Sequence, residues 1–168
     1  HTATQIGSGS FEAVLVAAGQ GGASSAIIDS SEVFTPSGSS GSWSTKGKLK
    51  HARQNHAAVA LSSYTVLVAG GNDPTSLSSA EIYTTTMYAW SETGSLAKAR
   101  MEIGIATTID GRVVIAGGEN QELFTNKAEV LNLGTMRWGG LGTIAANAAE
   151  LRLVTLDDGR ILAAGGTL

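Results

Sequence analysis

The side chains of this chain best suited to chemistry are three histidines, two arginines that recur with a fixed period and three glutamates that recur with them. His1, His51 and His56 would serve as general bases or metal ligands, but they show no H-E-x-x-H or comparable ligand spacing. His56 falls in an expected strand, where a structural role is the simpler reading. Asn72-Asp73 lacks the pattern of a calcium loop, and Asp157-Asp158-Gly159 reads as a turn rather than a carboxylate pair. There are no cysteines, which excludes disulfides, thiolate metal sites and cysteine nucleophiles. Neither Gly-x-Ser-x-Gly nor a phosphate-binding loop occurs. No catalytic, cofactor-binding or metal-binding residue is therefore assigned. Arg53 and Arg100 are 47 residues apart, and Glu32, Glu81 and Glu129 are spaced 49 and 48. Charges that recur like this suggest structure, since a buried charge needs a partner and a repeated Arg or Glu at a junction between units can supply one. The functional alternative is that the arginines rim a channel and take an anionic ligand.

The elements that must position these residues repeat as well. An apolar strand ending in glycine reads VLVAAG at Val14–Gly19, VLVAGG at Val66–Gly71, VVIAGG at Val113–Gly118 and ILAAGG at Ile161–Gly166. Its closing glycines are 52, 47 and 48 residues apart, a period that suggests propeller blades or solenoid units. Tryptophans follow at Trp43, Trp90 and Trp138, and Arg53 and Arg100 come ten residues after the first two. Counting back 18 residues from each closing glycine places Ala148 and His1 where the other units have arginine. Repeats are expected at about 1–52, 53–99, 100–147 and 148–168, the last incomplete.

Within one unit four strands are expected. The first alternates small and larger apolar residues, at about Thr2–Ser8, Asn55–Leu61, Glu102–Thr108 and Ala149–Thr155. Asp110-Gly111 and Asp158-Gly159 signal tight type I′ hairpins into the second strand, with weaker turns at Phe11-Glu12 and Ser63-Tyr64. The second strand is the glycine-ended apolar run, as expected for a strand buried on both faces. The third carries the glutamate (EVF, EIY, EVL) and the fourth the tryptophan. The apolar fraction of 42% supports a packed core, while 15% charge and 22 glycines suit short strands and tight turns. A net charge of −3 argues against nucleic-acid binding. No apolar run reaches the ~18 residues that would span a bilayer.

A diglycine, an aromatic-bearing strand, a tryptophan and then an arginine opening the next unit together resemble the kelch repeat. The resemblance covers the whole chain, with Ala18-Gly19 replacing the diglycine in the first unit and Leu131 replacing the aromatic of Phe34 and Tyr83. It implies an all-β, kelch-type β-propeller of about three and a half four-stranded blades. Such a partial propeller needs another chain, or a further part of this one, to close it.

The resemblance also places the loops joining second to third and fourth to first strands on one face, often the face that meets a partner. The candidate partner-binding residues there are Lys46, Lys48, Lys50, His51, Arg53 and Arg100 on the fourth-to-first loops. On the second-to-third loops they are Asn72, Asp73, Glu119, Asn120, Glu122, Leu123 and Phe124. The longest such loop is expected at Gln20–Ser31. The expected function is a non-enzymatic binding or scaffolding module for a protein or glycan partner, without a cofactor. One alternative is part of a kelch-propeller enzyme, either copper-radical oxidase-like or sialic-acid-processing. The Asp-Gly-Arg-apolar-Gly-Gly strands resemble those of the oxidases, but their cross-linked cysteine has no counterpart here. Another alternative is a structural repeat in an extracellular or filamentous assembly. The low lysine content and Ser/Thr/Gly richness suit an extracellular setting without naming a compartment.

Overall fold

The computed structural model describes residues 1–9, 11–22, 25–121 and 123–167. They form an all-β structure of consecutive antiparallel sheets. The first sheet runs in chain order through β1 (Thr2–Ser8), β2 (Phe11–Gly21), β3 (Ala26–Ser37) and β4 (Ser40–Thr45). The second repeats this with β5 (Ala57–Ser62), β6 (Thr65–Ala69), β7 (Ala80–Thr84) and β8 (Ala89–Glu92). The third begins with β9 (Gly104–Thr107) and β10 (Val113–Ala116). A small hairpin follows, β11 (Glu119–Asn120) with β12 (Leu123–Phe124), and β13 (Lys127–Asn132) and β14 (Arg137–Thr143) complete the sheet. A final hairpin pairs β15 (Arg152–Thr155) with β16 (Ile161–Ala164). First strands neighbour first strands: β1 lies beside β5, β5 beside β9 and β9 beside β15.

The core lies between successive sheets. Strand β6 is apolar on both faces because each face meets a different sheet. Val66 and Val68 pack with Leu15, Val33 and Ile6 of the first sheet. Leu67 and Ala69 pack with Val113, Ile115 and Leu131 of the third. This is how a continuous apolar run satisfies the two-residue alternation of a strand. Tyr83 and Trp90 pack at 5.3 Å between ring centroids, and the Trp90 indole donates to Ser31 Oγ of the preceding sheet at 3.1 Å. Ala80 holds the register of Ser31, each opposite the alanine of its second strand, and among the described residues the buried indole nitrogen of Trp138 has no partner.

The closing residues of each second strand tie one sheet to the next. Both glycines take positive φ, 65° and 94° at Gly70-Gly71 and 67° and 98° at Gly117-Gly118. Ala18 adopts φ 54° in the first unit. The turn aims the second glycine's N–H at the following segment: Gly19 donates to Arg53 O (2.7 Å), Gly71 to Arg100 O (3.0 Å) and Gly118 to Ala148 O (2.8 Å). A Cβ on Gly71 would lie 2.5 Å from Gln54 O, so glycine is required there by space as well as by φ.

Four local expectations are corrected. The Asp-Gly hairpins are not type I′. Thr108 N donates to Arg112 O and Gly111 N to Thr108 O, with only Gly111 at positive φ (84°). Leu156 to Arg160 repeats this with Gly159 at 86°, so both are three-residue turns with a glycine bulge. Phe11 and Glu12 lie inside β2 rather than in a turn, and Gln20–Ser31 is mostly ladder, since β2 and β3 stay paired out to Gly21↔Ala26. Finally, His1 corresponds to His56 rather than to Arg53. Thr2 pairs with Ala17 and Ala57 with Ala69, each partner two residues before its closing glycine. The β1–β2 hairpin is three residues longer than β5–β6, which misleads a count along the chain.

Candidate functional site

Arg53 and Arg100 each belong to two sheets. Arg53 is fixed by its backbone to the first sheet, donating to Ile28 O and accepting from Gly19 N. Its fully buried guanidinium enters the second sheet, donating to Glu81 Oε1 (2.7 Å), Gly70 O (2.7 Å), Ser79 O (3.1 Å) and Ser79 Oγ (3.0 Å). Glu81 also accepts from the backbone N–H groups of Lys50 (2.7 Å) and His51 (3.2 Å). Burial pulls Arg53 below its ordinary pKa, and Glu81 opposes the shift. Arg100 repeats the arrangement with Glu129, Gly117 O and Lys127 O, and Ala97 N donates to Glu129 Oε2 at 2.9 Å. Both arginines are thus withdrawn from the surface and paired through their terminal nitrogens, while among the described residues the buried Nε of each has no hydrogen-bond partner. Glu32 holds the same register, opposite Val16, but is exposed.

The basic loop around Lys46–His51 is spent largely on internal contacts. Lys46 Nζ sits 4.0 Å from the centroid of the Tyr88 ring. Lys48 pairs with Asp29 at 3.0 Å, and His51 Nε2 lies 3.1 Å from Glu92 Oε1. Asn72 bridges by its backbone to Gln54, and Asp73 is exposed beside it. Glu122 lies outside the described residues.

Five of the candidate residues meet at one place. A cleft of about 590 Å³ opens on the third sheet. One wall is the Ala97–Arg100 loop, another the β11–β12 hairpin with Glu119, Asn120, Leu123 and Phe124, and the floor includes Gly140 and Gly142 of β14. Leu123 is 75% exposed and Phe124 half-buried. Lys98 and Lys127 on the lining are exposed, and neither forms an ion pair among the described residues. Reading loops alone missed Lys98, Lys127 and the β14 floor. The available signal was Trp138-Gly139-Gly140, where the earlier units read Trp43-Ser44-Thr45 and Trp90-Ser91-Glu92.

A second cleft, of about 490 Å³, runs along the first strands and is lined by His1, His56, Glu102, Glu150 and Arg152 among others. His56 is buried; its Nε2 meets Thr2 Oγ1 at 2.9 Å and its Nδ1 has no partner among the described residues. Burial, then the charge of Arg53, pushes its pKa down to about 3. Burial together with Glu119 and Glu150 raises that of Glu102. Asn55, Glu102 and Glu150 each take positive φ (53°, 56° and 58°), joined by hydrogen bonds from Glu102 N to Asn55 O and from Glu150 N to Glu102 O. Among the described residues, no group of three or more His, Cys, Asp or Glu side chains is placed to hold a metal ion. None of their helices is long and apolar enough to cross a membrane. No protein-family model matches the chain, and no curated protein matches it.

Proposed function

We propose that this chain is a kelch-type β-propeller module, each four-stranded sheet one blade, and that it binds a partner rather than performing chemistry. The blade reading is supported by the order of strands within each sheet, by the adjacency of the first strands and by the recurring arginine–glutamate and diglycine ties. The binding reading is carried by the cleft between the Ala97–Arg100 loop and the β11–β12 hairpin. Those are a fourth-to-first and a second-to-third loop, brought together around a concave surface with Leu123 standing out into solvent. An exposed apolar side chain at the mouth of a mixed-charge cleft suits a contact anchor. The partner is a protein or a glycan.

An array of peptides and oligosaccharides probed with the wild type, Leu123→Glu and Lys98→Glu tests this. Ligands retained by the wild type should be lost by both variants at unchanged melting temperature. Binding indifferent to both substitutions, or no binding at all, would refute the reading.

A further inference from the structure

Among the positions at which the second and third sheets differ is one equivalent pair whose third-sheet members both line the cleft. In the second sheet His51 meets Glu92 across the gap between loop and fourth strand. Cross-strand register identifies the counterparts. Glu92 lies opposite Glu81 and Gly140 opposite Glu129, while His51 and Lys98 each stand two residues before the buried arginine. Where the second sheet sets an imidazole against a carboxylate, the third has a lysine and a glycine, both on the lining of the cleft. The fold itself does not ask for glycine at 140. It is absent from the positive-φ positions, and a Cβ there would meet nothing within 4 Å. Glycine inside a strand weakens it and often marks a bulge or close approach by a ligand; the ladder does bulge opposite Ala128–Glu129, where Gly142 rather than Gly140 takes positive φ (119°).

We propose that the cleft binds an acidic peptide, with a glutamate or aspartate side chain taking the place of the Glu92 carboxylate against Lys98. The proposal rests on the binding role of the cleft given above and names its ligand. Next to Lys98 the lining is apolar, with Ala97, Ala99, Leu123 and Phe124, which suits a hydrophobic residue flanking the acid. Strand β14 is the edge of its sheet, so backbone groups along Gly139–Gly142 suit an extended peptide. Glu119 on the same lining favours a ligand with one carboxylate over a polyanion.

The test uses the full ¹⁵N-labelled chain titrated with acetyl-Leu-Glu-Leu-amide and its glutamine counterpart. The glutamate peptide should shift the amide signals of Lys98, Gly140 and Gly142 saturably. The glutamine peptide should bind up to about fivefold more weakly, as for a solvent-exposed ion pair. Lys98→Gln should erase that preference, and Gly140→Glu, by supplying its own carboxylate, should abolish the shifts. Equal binding of both peptides at these amides would overturn the carboxylate assignment while leaving the cleft as a binding site. No shift at any cleft amide would overturn both. Stronger binding of polygalacturonate than of the peptide would overturn the peptide assignment. Should Gly140→Glu fail to fold, the Lys98→Gln comparison decides.

Discussion

At the scale of single residues, Arg53 and Glu81 hold more than each other. Removing Arg53 alone strands a buried carboxylate, and Arg53→Met should destabilise the protein by about 3–5 kcal/mol in urea unfolding. Adding Glu81→Leu removes the orphaned charge but leaves Lys50 N, His51 N and Gly70 O without partners. The double variant should therefore remain at least ~2 kcal/mol below the wild type, and full recovery would show that the ion pair alone mattered. His56 makes a different demand. Its folded-state pKa of about 3 lies below the ordinary 6.5, so its stabilising contribution is present above pH 6.5 and is lost as pH falls towards 3. At about 1.4 kcal/mol per unit the loss reaches a few kcal/mol. Ile103 and Leu151 fill the corresponding place in later units, beside Gly118 and Gly166 as His56 is beside Gly71. His56→Leu should fold and show a flatter decline in urea midpoint between pH 7 and pH 4; an unchanged decline would clear His56 of the effect. The structural role of the recurring arginines and glutamates was suggested by period, but which arginine meets which glutamate across a junction was not. Nor was the Lys98–Gly140 relation, because it emerges only when strands are aligned across a sheet.

At the scale of elements, glycine serves two purposes that one sequence pattern conceals. Gly111 sits at φ 84° with open space around its Cβ position, so Gly111→Ala should cost only the backbone strain, about 1–2 kcal/mol. Gly118 sits at φ 98°, and a Cβ there would lie 2.5 Å from Ile103 Cγ2 and 2.7 Å from Met101 O. Gly118→Ala should cost more than about 3 kcal/mol, since strain and collision with backbone add. Equal losses in thermal unfolding would contradict this division. The glycine-ended apolar strands were readable because burial on both faces removes polar alternation. Turn type was not, because Asp-Gly suits both a two-residue and a three-residue loop, and the ladder decides between them.

At the scale of the molecule, protection should follow how many sheets cover a strand. Strands β6 and β10 are buried on both faces, whereas the β15–β16 hairpin has two strands and an exposed face that includes Val154 and Leu162. Amide exchange along β16 should be at least ~100-fold faster than along β6, and uniform exchange would mean that the units open together. The arginine ties carry a mechanical implication. Each grips one sheet by its backbone and the next by its side chain, so tension applied through the chain ends would reach every junction in series. The junction at Ala148 has the backbone bond from Gly118 but no guanidinium, and it would be the weakest link. That junction would then yield before the others, and each full unit that follows would release roughly 160 Å of extended length.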